Sequence, residues 1–64
     1  MKEGTIKFFD AQKGFGFITP EEIGKDIFVH QTGLMDHVSD GDRVTYFEEE
    51  GKKGLSATNV KRIR

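Results

Sequence analysis

The chain has 64 residues, a net charge of −1 and no cysteine. This length predicts one small domain, residues 1–64, that buries only about 60% of its unfolded surface, and the lack of cysteine excludes disulfides and thiolate metal ligands. The polar start and the short apolar runs predict neither a signal peptide nor a bilayer-spanning helix, so we expect a cytoplasmic location.

Short alternating runs separated by turn residues predict strands along most of the chain. Eight glycines are spread through the sequence, and no stretch has the long apolar period of a helix. One helical turn is expected between the third and fourth strands, anchored by Leu34, Met35 and Val38. Strands are predicted at residues 4–9, 15–19, 26–30, 43–49 and 55–63. Five short strands at intervals of about ten residues favour an all-β, antiparallel barrel.

Two pairs of adjacent residues conflict with simple alternation along a strand. One of Phe8 and Phe9 must face outward, or a bulge must intervene, and we expect Phe9 in the core. In the fourth strand, alternation places Phe47 outward and Glu48 inward, so either the strand ends near Phe47 or a bulge shifts its register. Gly14 is expected at positive φ in the turn after the first strand.

The second and third strands carry aromatic side chains on one face. Phe15 and Phe17 share the face opposite Ile18, while Phe28 and His30 share the face opposite two aliphatic residues. The core is then predicted from the aliphatic side: Ile18, Ile27 and Val29. Exposed aromatic rings beside lysines suit the flat faces of unpaired bases, so this face predicts single-stranded nucleic-acid binding.

Three motifs stand in order along the chain: GTIKFFD at residues 4–10, KGFGFI at residues 13–18 and DIFVH at residues 26–30. With Gly54 and ATNV at residues 57–60, the chain resembles the bacterial cold-shock proteins over nearly its whole length. The resemblance implies a five-stranded antiparallel OB-fold barrel with Greek-key topology that binds single-stranded RNA and DNA without catalysis. It also implies an RNA chaperone, with roles in cold adaptation and in the regulation of transcription or translation.

The resemblance implies a set of binding residues, carried over position by position. A stacking platform is formed by Phe8, Phe15, Phe17, Phe28 and His30. Lys7 and Lys13 flank this platform, and Asp26 accepts hydrogen bonds from base edges. Lys53 lies along the bound nucleic-acid strand. No metal, cofactor, membrane or small-molecule substrate is expected, and we expect a monomer, with a strand-exchanged dimer as the alternative.

The chain departs from the family pattern at three positions of the expected interface. Phe8 stands where the family usually has tryptophan, Asp10 where it has asparagine, and Gln31 where it commonly has another aromatic residue. The segment between the third and fourth strands is also about three residues shorter, and His37 is its only ring. We therefore expect weaker binding and a shorter footprint than in a typical member, and Gln31→Phe should tighten binding.

Several residues have a second interpretation at this stage. Asp26 is also able to pair with Lys25 or Lys7 rather than contact a base. The basic residues near the end of the chain serve either phosphate steering or solubility: Lys52, Lys53, Lys61, Arg62 and Arg64. Two other function classes remain open, a small β-barrel that binds a peptide on its aromatic face and a small nuclease, although no paired acidic site is recognisable.

Overall fold

The computed structural model describes residues 1–22, 24–51 and 54–63, and they are almost entirely β-structure. The elements in chain order are β1 (Lys2–Asp10), β2 (Phe15–Pro20), β3 (Ile27–His30), a 3-10 helix (Gln31–Gly33), β4 (Arg43–Gly51) and β5 (Gly54–Arg62). Each strand lies where the sequence predicts it, with ends that differ by no more than two residues. Within these ranges, no helix is long and apolar enough to cross a membrane.

The strands close into a barrel in the order β1-β2-β3-β5-β4, because β4 also pairs with β1. All pairings are antiparallel except that between β3 and β5, which run parallel with Phe28 opposite Ser56 and Val29 opposite Ala57. An odd number of strands in a closed ring cannot alternate in direction at every pairing. The expected all-β, five-stranded barrel is confirmed, with one parallel pairing that its odd strand number requires.

The barrel interior is filled by one side chain in two from each strand, as the alternating pattern predicts. The core consists of Ile6, Ile18, Ile27, Val29, Val38, Val44, Tyr46, Ala57 and Val60. Phe9 and Leu34 are half-buried and pack against this cluster. The three aliphatic residues predicted from β2 and β3 are among the core residues, so the opposite face of these strands lies on the outside of the barrel.

A bulge in β1 resolves the conflict between the two adjacent phenylalanines. Ile6 lies opposite Ile18, whereas Phe8 lies opposite Phe17, so β1 contains one more residue than β2 in this interval, at Lys7. The extra residue reverses the alternation. Phe8 therefore faces outward and Phe9 packs against the core, as expected.

The register of β4 and β5 also shifts, but the extra residue is in β5. Thr45 lies opposite Lys61 and Phe47 opposite Thr58, so β5 has one residue more than β4 in this interval. Asn59 within it has φ of 50°, in the left-handed region. β4 does not end near Phe47 but continues to Gly51, and Phe47 remains on the outer surface with 47% of its area exposed.

The helical turn expected between β3 and β4 is present as the 3-10 helix, but it ends before Leu34, Met35 and Val38, the residues expected to anchor it. Leu34 forms a parallel bridge with Val60, and the Met35 amide donates to the Val60 carbonyl at 2.8 Å. At Leu34 and Met35, backbone pairing with β5 therefore takes the place of a helical turn. Met35 is 58% exposed, whereas Val38 is buried, so only part of the expected apolar anchor reaches the core.

Candidate nucleic-acid interface

Four phenylalanines of β1, β2 and β3 form one contiguous patch on the outer face of the barrel, which we call the aromatic row: Phe8, Phe15, Phe17 and Phe28. The Phe17 ring centroid lies 5.5 Å from that of Phe8 and 5.9 Å from that of Phe28. The Phe15 centroid lies 6.0 Å from Phe28, with the rings 27° apart, and 6.5 Å from Phe8. The four rings therefore contact one another as a single surface.

The aromatic row keeps much of its area in solvent although its members contact each other. Phe8 is 37% exposed and Phe28 is 36% exposed, while Phe15 and Phe17 are half-buried between them. The rings have different tilts, with interplanar angles from 27° to 75°. An arrangement of this kind offers several apolar ring surfaces on which flat ligands are able to stack.

Gly16 brings the strands of the aromatic row close together. A Cβ on this residue would lie 2.2 Å from the Phe8 carbonyl oxygen and 2.8 Å from the Phe9 Cα, distances that no real Cβ adopts. Gly14 in the preceding turn has φ of 77°, as predicted for the position that needs the left-handed region. The two glycines thus allow the tight turn and the close approach of β1 to β2.

His30 lies at one end of the aromatic row, opposite Phe15 in the pairing of β2 with β3. Its Nδ1 accepts a hydrogen bond from the Thr32 amide at 3.2 Å and lies 2.9 Å from Thr32 Oγ1. The ring therefore caps the 3-10 helix, and in its neutral form it carries the proton on Nε2. The cap fixes the imidazole in an exposed position beside Phe15.

Lys7 and Asp26 form an ion pair between the β1 bulge and the residue before β3. The Lys7 Nζ lies 2.9 Å from Asp26 Oδ2, and Thr19 Oγ1 donates to Asp26 Oδ1 at 3.4 Å. This pairing is one of the two alternatives that the sequence left open for Asp26. Both side chains are partly in solvent, with 58% of the lysine and 33% of the aspartate side chain exposed.

Asp10 holds the turn that carries Lys13 toward the aromatic row. Its Oδ1 accepts from the Gln12 amide at 3.0 Å and from the Lys13 amide at 3.1 Å, and its carbonyl accepts from the Gly14 amide at 2.7 Å. An asparagine oxygen would make the same hydrogen bonds, so the aspartate preserves the turn while it adds a negative charge. Lys13 itself is exposed.

Gln31 lies against the same turn from the other side. The backbone amide of Gln31 donates to the Gly14 carbonyl at 2.8 Å. A Cβ on Gly14 would lie 3.0 Å from Cδ of the Gln31 side chain. The side-chain amide therefore packs over the glycine, at the position where the family commonly has an aromatic residue. Lys53, the remaining predicted binding residue, lies outside the described residues.

Part of the acidity of the chain is compensated by ion pairs outside the aromatic row. Arg43 contacts Glu21 closely and reaches Glu3 at 3.5 Å. Lys2 lies 3.8 Å from Glu22, and a further contact of 3.6 Å joins it to Glu48. These pairs link β1 and β4 to each other and to the segment that follows β2. They lower the repulsion that the acidic residues would exert on a polyanion.

Ser56 of β5 extends this surface beyond the residues that the sequence predicted. It lies opposite Phe28 in the parallel pairing of β3 with β5 and is half-buried. Its position depends on a pairing between strands that are distant in sequence. No local sequence pattern predicts the pairing of β3 with β5. The odd number of strands in a closed ring, however, would have indicated that one pairing is parallel.

A closed five-stranded barrel in this order is an OB-fold. The 'Cold-shock' DNA-binding domain family model matches residues 2–63. Among solved structures, drosophila Unr CSD456 superposes with a TM-score of 0.84 at 26% sequence identity. That match covers 98% of this chain and 26% of the other, so this chain spans about a quarter of its length.

Full-length relatives agree with the family model. Cold shock protein 2 of Lactiplantibacillus plantarum is 53% identical over 94% of this chain and 96% of its own length. Cold shock-like protein CspE of Escherichia coli is 47% identical, over 91% of this chain and 90% of its own. The major cold shock protein of Micrococcus luteus is 40% identical over 98% and 100%. The chain belongs to the cold-shock domain family, whose members bind nucleic acid and are not enzymes.

Proposed function

We propose that this chain binds single-stranded RNA and DNA by stacking unpaired bases on the aromatic row, and that it acts as a cytoplasmic RNA chaperone. The observation that carries the proposal is the contact of four partly exposed phenyl rings, with centroid distances of 5.5 to 6.5 Å. Every unpaired base has a flat face for such rings, whereas the bases of a duplex are already stacked on each other. The site therefore favours single strands.

The charged and polar neighbours of the aromatic row have separate roles in this proposal. Lys7 and Lys13 contact phosphates, which position the strand without specifying its sequence. Asp26 accepts hydrogen bonds from base edges when Lys7 turns to a phosphate. His30 offers its ring for stacking and its Nε2 proton for a hydrogen bond, while Asp10 supports the turn that carries Lys13.

The chaperone activity follows from mass action. A protein that binds only the open strand shifts the equilibrium of a weak hairpin toward the unpaired form, by an amount set by the protein concentration and the dissociation constant. Contacts that are individually weak also release quickly. We propose on this basis a role in cold adaptation and in regulating transcription or translation, in line with the names of the relatives.

The test is a fluorescence-anisotropy titration of a pyrimidine heptanucleotide, single-stranded and in a duplex, at two salt concentrations. We expect preferential binding of the single strand with a shallow salt dependence. Phe15→Ala should weaken binding by about tenfold or more, because stacking contributes roughly 1–3 kcal/mol per base. Phe47→Ala is the matched control, since this ring is 47% exposed but lies on β4, outside the aromatic row.

Two results would overturn the proposal. Equal loss of affinity in Phe15→Ala and Phe47→Ala, with both variants folded by circular dichroism, would show that the aromatic row is not the binding surface. Binding that ignores strandedness and disappears with salt would assign the interaction to charge alone. For the chaperone activity, a weak hairpin with a fluorophore and quencher should open with wild-type protein and remain closed with Phe15→Ala.

A further inference from the structure

A cleft lies beside Gln31, the residue that packs against the turn before β2. It has a volume of about 790 Å³ and is lined among others by Phe9, Gln31, Leu34, His37, Val38 and Asp40. This volume lies within the range of small-molecule binding sites. Apolar side chains thus meet a few polar groups in one concave surface, the usual composition of a site that encloses a flat heterocycle.

The polar groups of the cleft favour a base rather than a phosphate. Its lining residues, all within the described ranges, include the carboxylate of Asp40 but no lysine or arginine. Asp40 Oδ1 accepts a hydrogen bond from the Phe9 amide at 2.9 Å, which fixes the orientation of the carboxylate. An ionised carboxylate only accepts hydrogen bonds. His37 and Ser39 also line the cleft, but beside Asp40 the carboxylate repels phosphate and selects a ligand that presents donors.

Guanine is the base whose donors match a fixed carboxylate. Its N1–H and N2–H are adjacent and parallel, so both carboxylate oxygens are able to accept from one base. Adenine and cytosine place a ring acceptor next to their amino group, and uracil and thymine flank their single N–H with two carbonyls. In these four bases an acceptor would face the carboxylate, which costs the unpaired-acceptor penalty that guanine avoids.

Gln31 supplies the complementary group. Its side-chain amide lines the cleft and is packed against Gly14, where a Cβ would lie 3.2 Å from Gln31 Nε2. An amide N–H is a donor for the O6 acceptor of guanine. Gln31 thus links the cleft to Gly14, the residue that precedes Phe15 of the aromatic row in the chain.

We infer that this cleft is a guanine subsite, in which the Asp40 carboxylate reads the N1–H and N2–H edge of one nucleotide next to those stacked on the aromatic row. The inference rests on the proposed function, because the guanine is delivered as part of a bound single strand. It adds selectivity for guanine at one position to a surface that otherwise binds bases by stacking, with Asp26 as its other acceptor for base edges.

The experiment uses oligothymidine heptanucleotides in which a single guanine replaces each thymine in turn, titrated by fluorescence anisotropy. We expect one position at which guanine tightens binding by about tenfold, the discrimination typical of a bidentate base contact. Hypoxanthine at this position, which lacks the N2 amino group, should lose most of the gain. Asp40→Asn retains an oxygen for the Phe9 amide but no longer accepts with both atoms, so it should abolish the preference.

Asp36→Asn is the matched control for the loss of one negative charge. Asp36 also holds a backbone amide, that of Arg62 at 3.0 Å, but it is not among the residues that line the cleft. This variant should keep the guanine preference. If unsubstituted oligothymidine binds, two results would overturn the subsite. One is that guanine is preferred at no position, and the other is that the guanine preference survives in Asp40→Asn. Failure of oligothymidine itself to bind would instead reject the proposed function, and the subsite with it.

Discussion

Asp26 has two competing partners, the Lys7 ammonium group and, in the proposed complex, the edge of a base. Its ion pair with Lys7, at 2.9 Å, occupies the lysine that is proposed to contact phosphate. Asp26→Asn keeps an acceptor oxygen for a base edge but releases Lys7, so we expect a steeper salt dependence of single-strand binding. The slope of log K against log salt should change by about −0.7, the value for one more phosphate contact on a single strand. Anisotropy titrations of oligothymidine over a salt series measure this slope.

Lys7→Gln provides the control for this interpretation. In the wild-type background the slope should change little, because the phosphate contact that Lys7 gains is offset by the ion pair that Asp26 loses. In Asp26→Asn the same substitution should remove the added slope. The free energy of unfolding should change by less than about 1 kcal/mol in each variant, since the pair is partly exposed. Identical salt slopes for wild type and Asp26→Asn would show that Lys7 does not reach a phosphate.

Tyr46 places a hydroxyl inside the barrel, where no described residue hydrogen-bonds to it. Burial raises the pKa of Tyr46 above its ordinary value of 10.0, and the nearby carboxylates of Glu48 and Glu22 add to this shift. Tyr46→Phe removes a buried polar group without a partner. We expect the free energy of unfolding at neutral pH to be unchanged or higher by about 1 kcal/mol. Urea unfolding of both proteins tests this expectation.

The same substitution should change the response to alkaline pH. Below pH 10.0 the phenol is protonated in both the folded and the unfolded chain, so it adds no pH dependence there. Above that pH the unfolded chain loses its phenolic proton first, and the stability of the wild type falls as the pH rises further. The advantage of Tyr46→Phe should therefore widen in alkali. A variant clearly less stable than wild type at neutral pH would indicate that the hydroxyl has a partner.

The pairing of β1 with β2 depends on the absence of a side chain at Gly16. In Gly16→Ala the added Cβ would meet backbone atoms of Phe8 and Phe9 at 2.2 and 2.8 Å, and backbone cannot move aside without separating the strands. We expect a loss of about 2 kcal/mol or more in the free energy of unfolding, with weaker oligonucleotide binding because the aromatic row is displaced. Urea unfolding and anisotropy measure the two effects.

Gly24→Ala is the matched substitution in the segment after β2. No described atom lies within 4 Å of the position that its Cβ would take. It should leave stability unchanged or raise it by up to about 1 kcal/mol, since alanine reduces the freedom of the unfolded chain. Equal destabilisation by Gly16→Ala and Gly24→Ala would refute the close-approach explanation.

The strands were predictable from the sequence because a period of two in apolar residues is a local signal. The 3-10 helix and the segment after it were not, because their positions depend on partners distant in sequence. His30 caps the helix through Thr32, and Met35 hydrogen-bonds to Val60 of β5. A bulge near Phe47 was one of two alternatives, but its position in β5 at Asn59 was not predictable, because the conflict in alternation lies in β4.

At the scale of the whole barrel, the sequence predicted the members of the aromatic row but not the ion pairs that its charged neighbours form. Alternation and the resemblance together predicted the phenyl rings on one face, and their centroids lie 5.5 and 6.0 Å apart in one patch. The ion pair of Lys7 with Asp26 stayed an open alternative, because it joins two segments whose approach depends on the β1 bulge. The cleft at Asp40 was not anticipated, since it forms only when the segment after the 3-10 helix folds over Phe9.

The departures from the family pattern predict two positions at which a substitution should raise the affinity for single-stranded nucleic acid. Phe8 is 37% exposed at one edge of the aromatic row, and Gln31 packs over Gly14 near the other. Phe8→Trp enlarges an existing ring, whereas Gln31→Phe adds a ring where an amide stands, so the second change should tighten oligothymidine binding more, by about tenfold. An anisotropy titration of each variant gives the comparison.

Because the two positions would contact different bases, their effects on the binding free energy should add in the double variant. Only Gln31→Phe should lengthen the footprint, so its gain should vanish on oligonucleotides too short to reach past Phe15, while that of Phe8→Trp persists. Gln31→Phe should also reduce the guanine preference of the cleft, since it removes the donor proposed for O6. A gain that is independent of oligonucleotide length would mean that the new ring repacks the β1–β2 turn instead of receiving a base of its own.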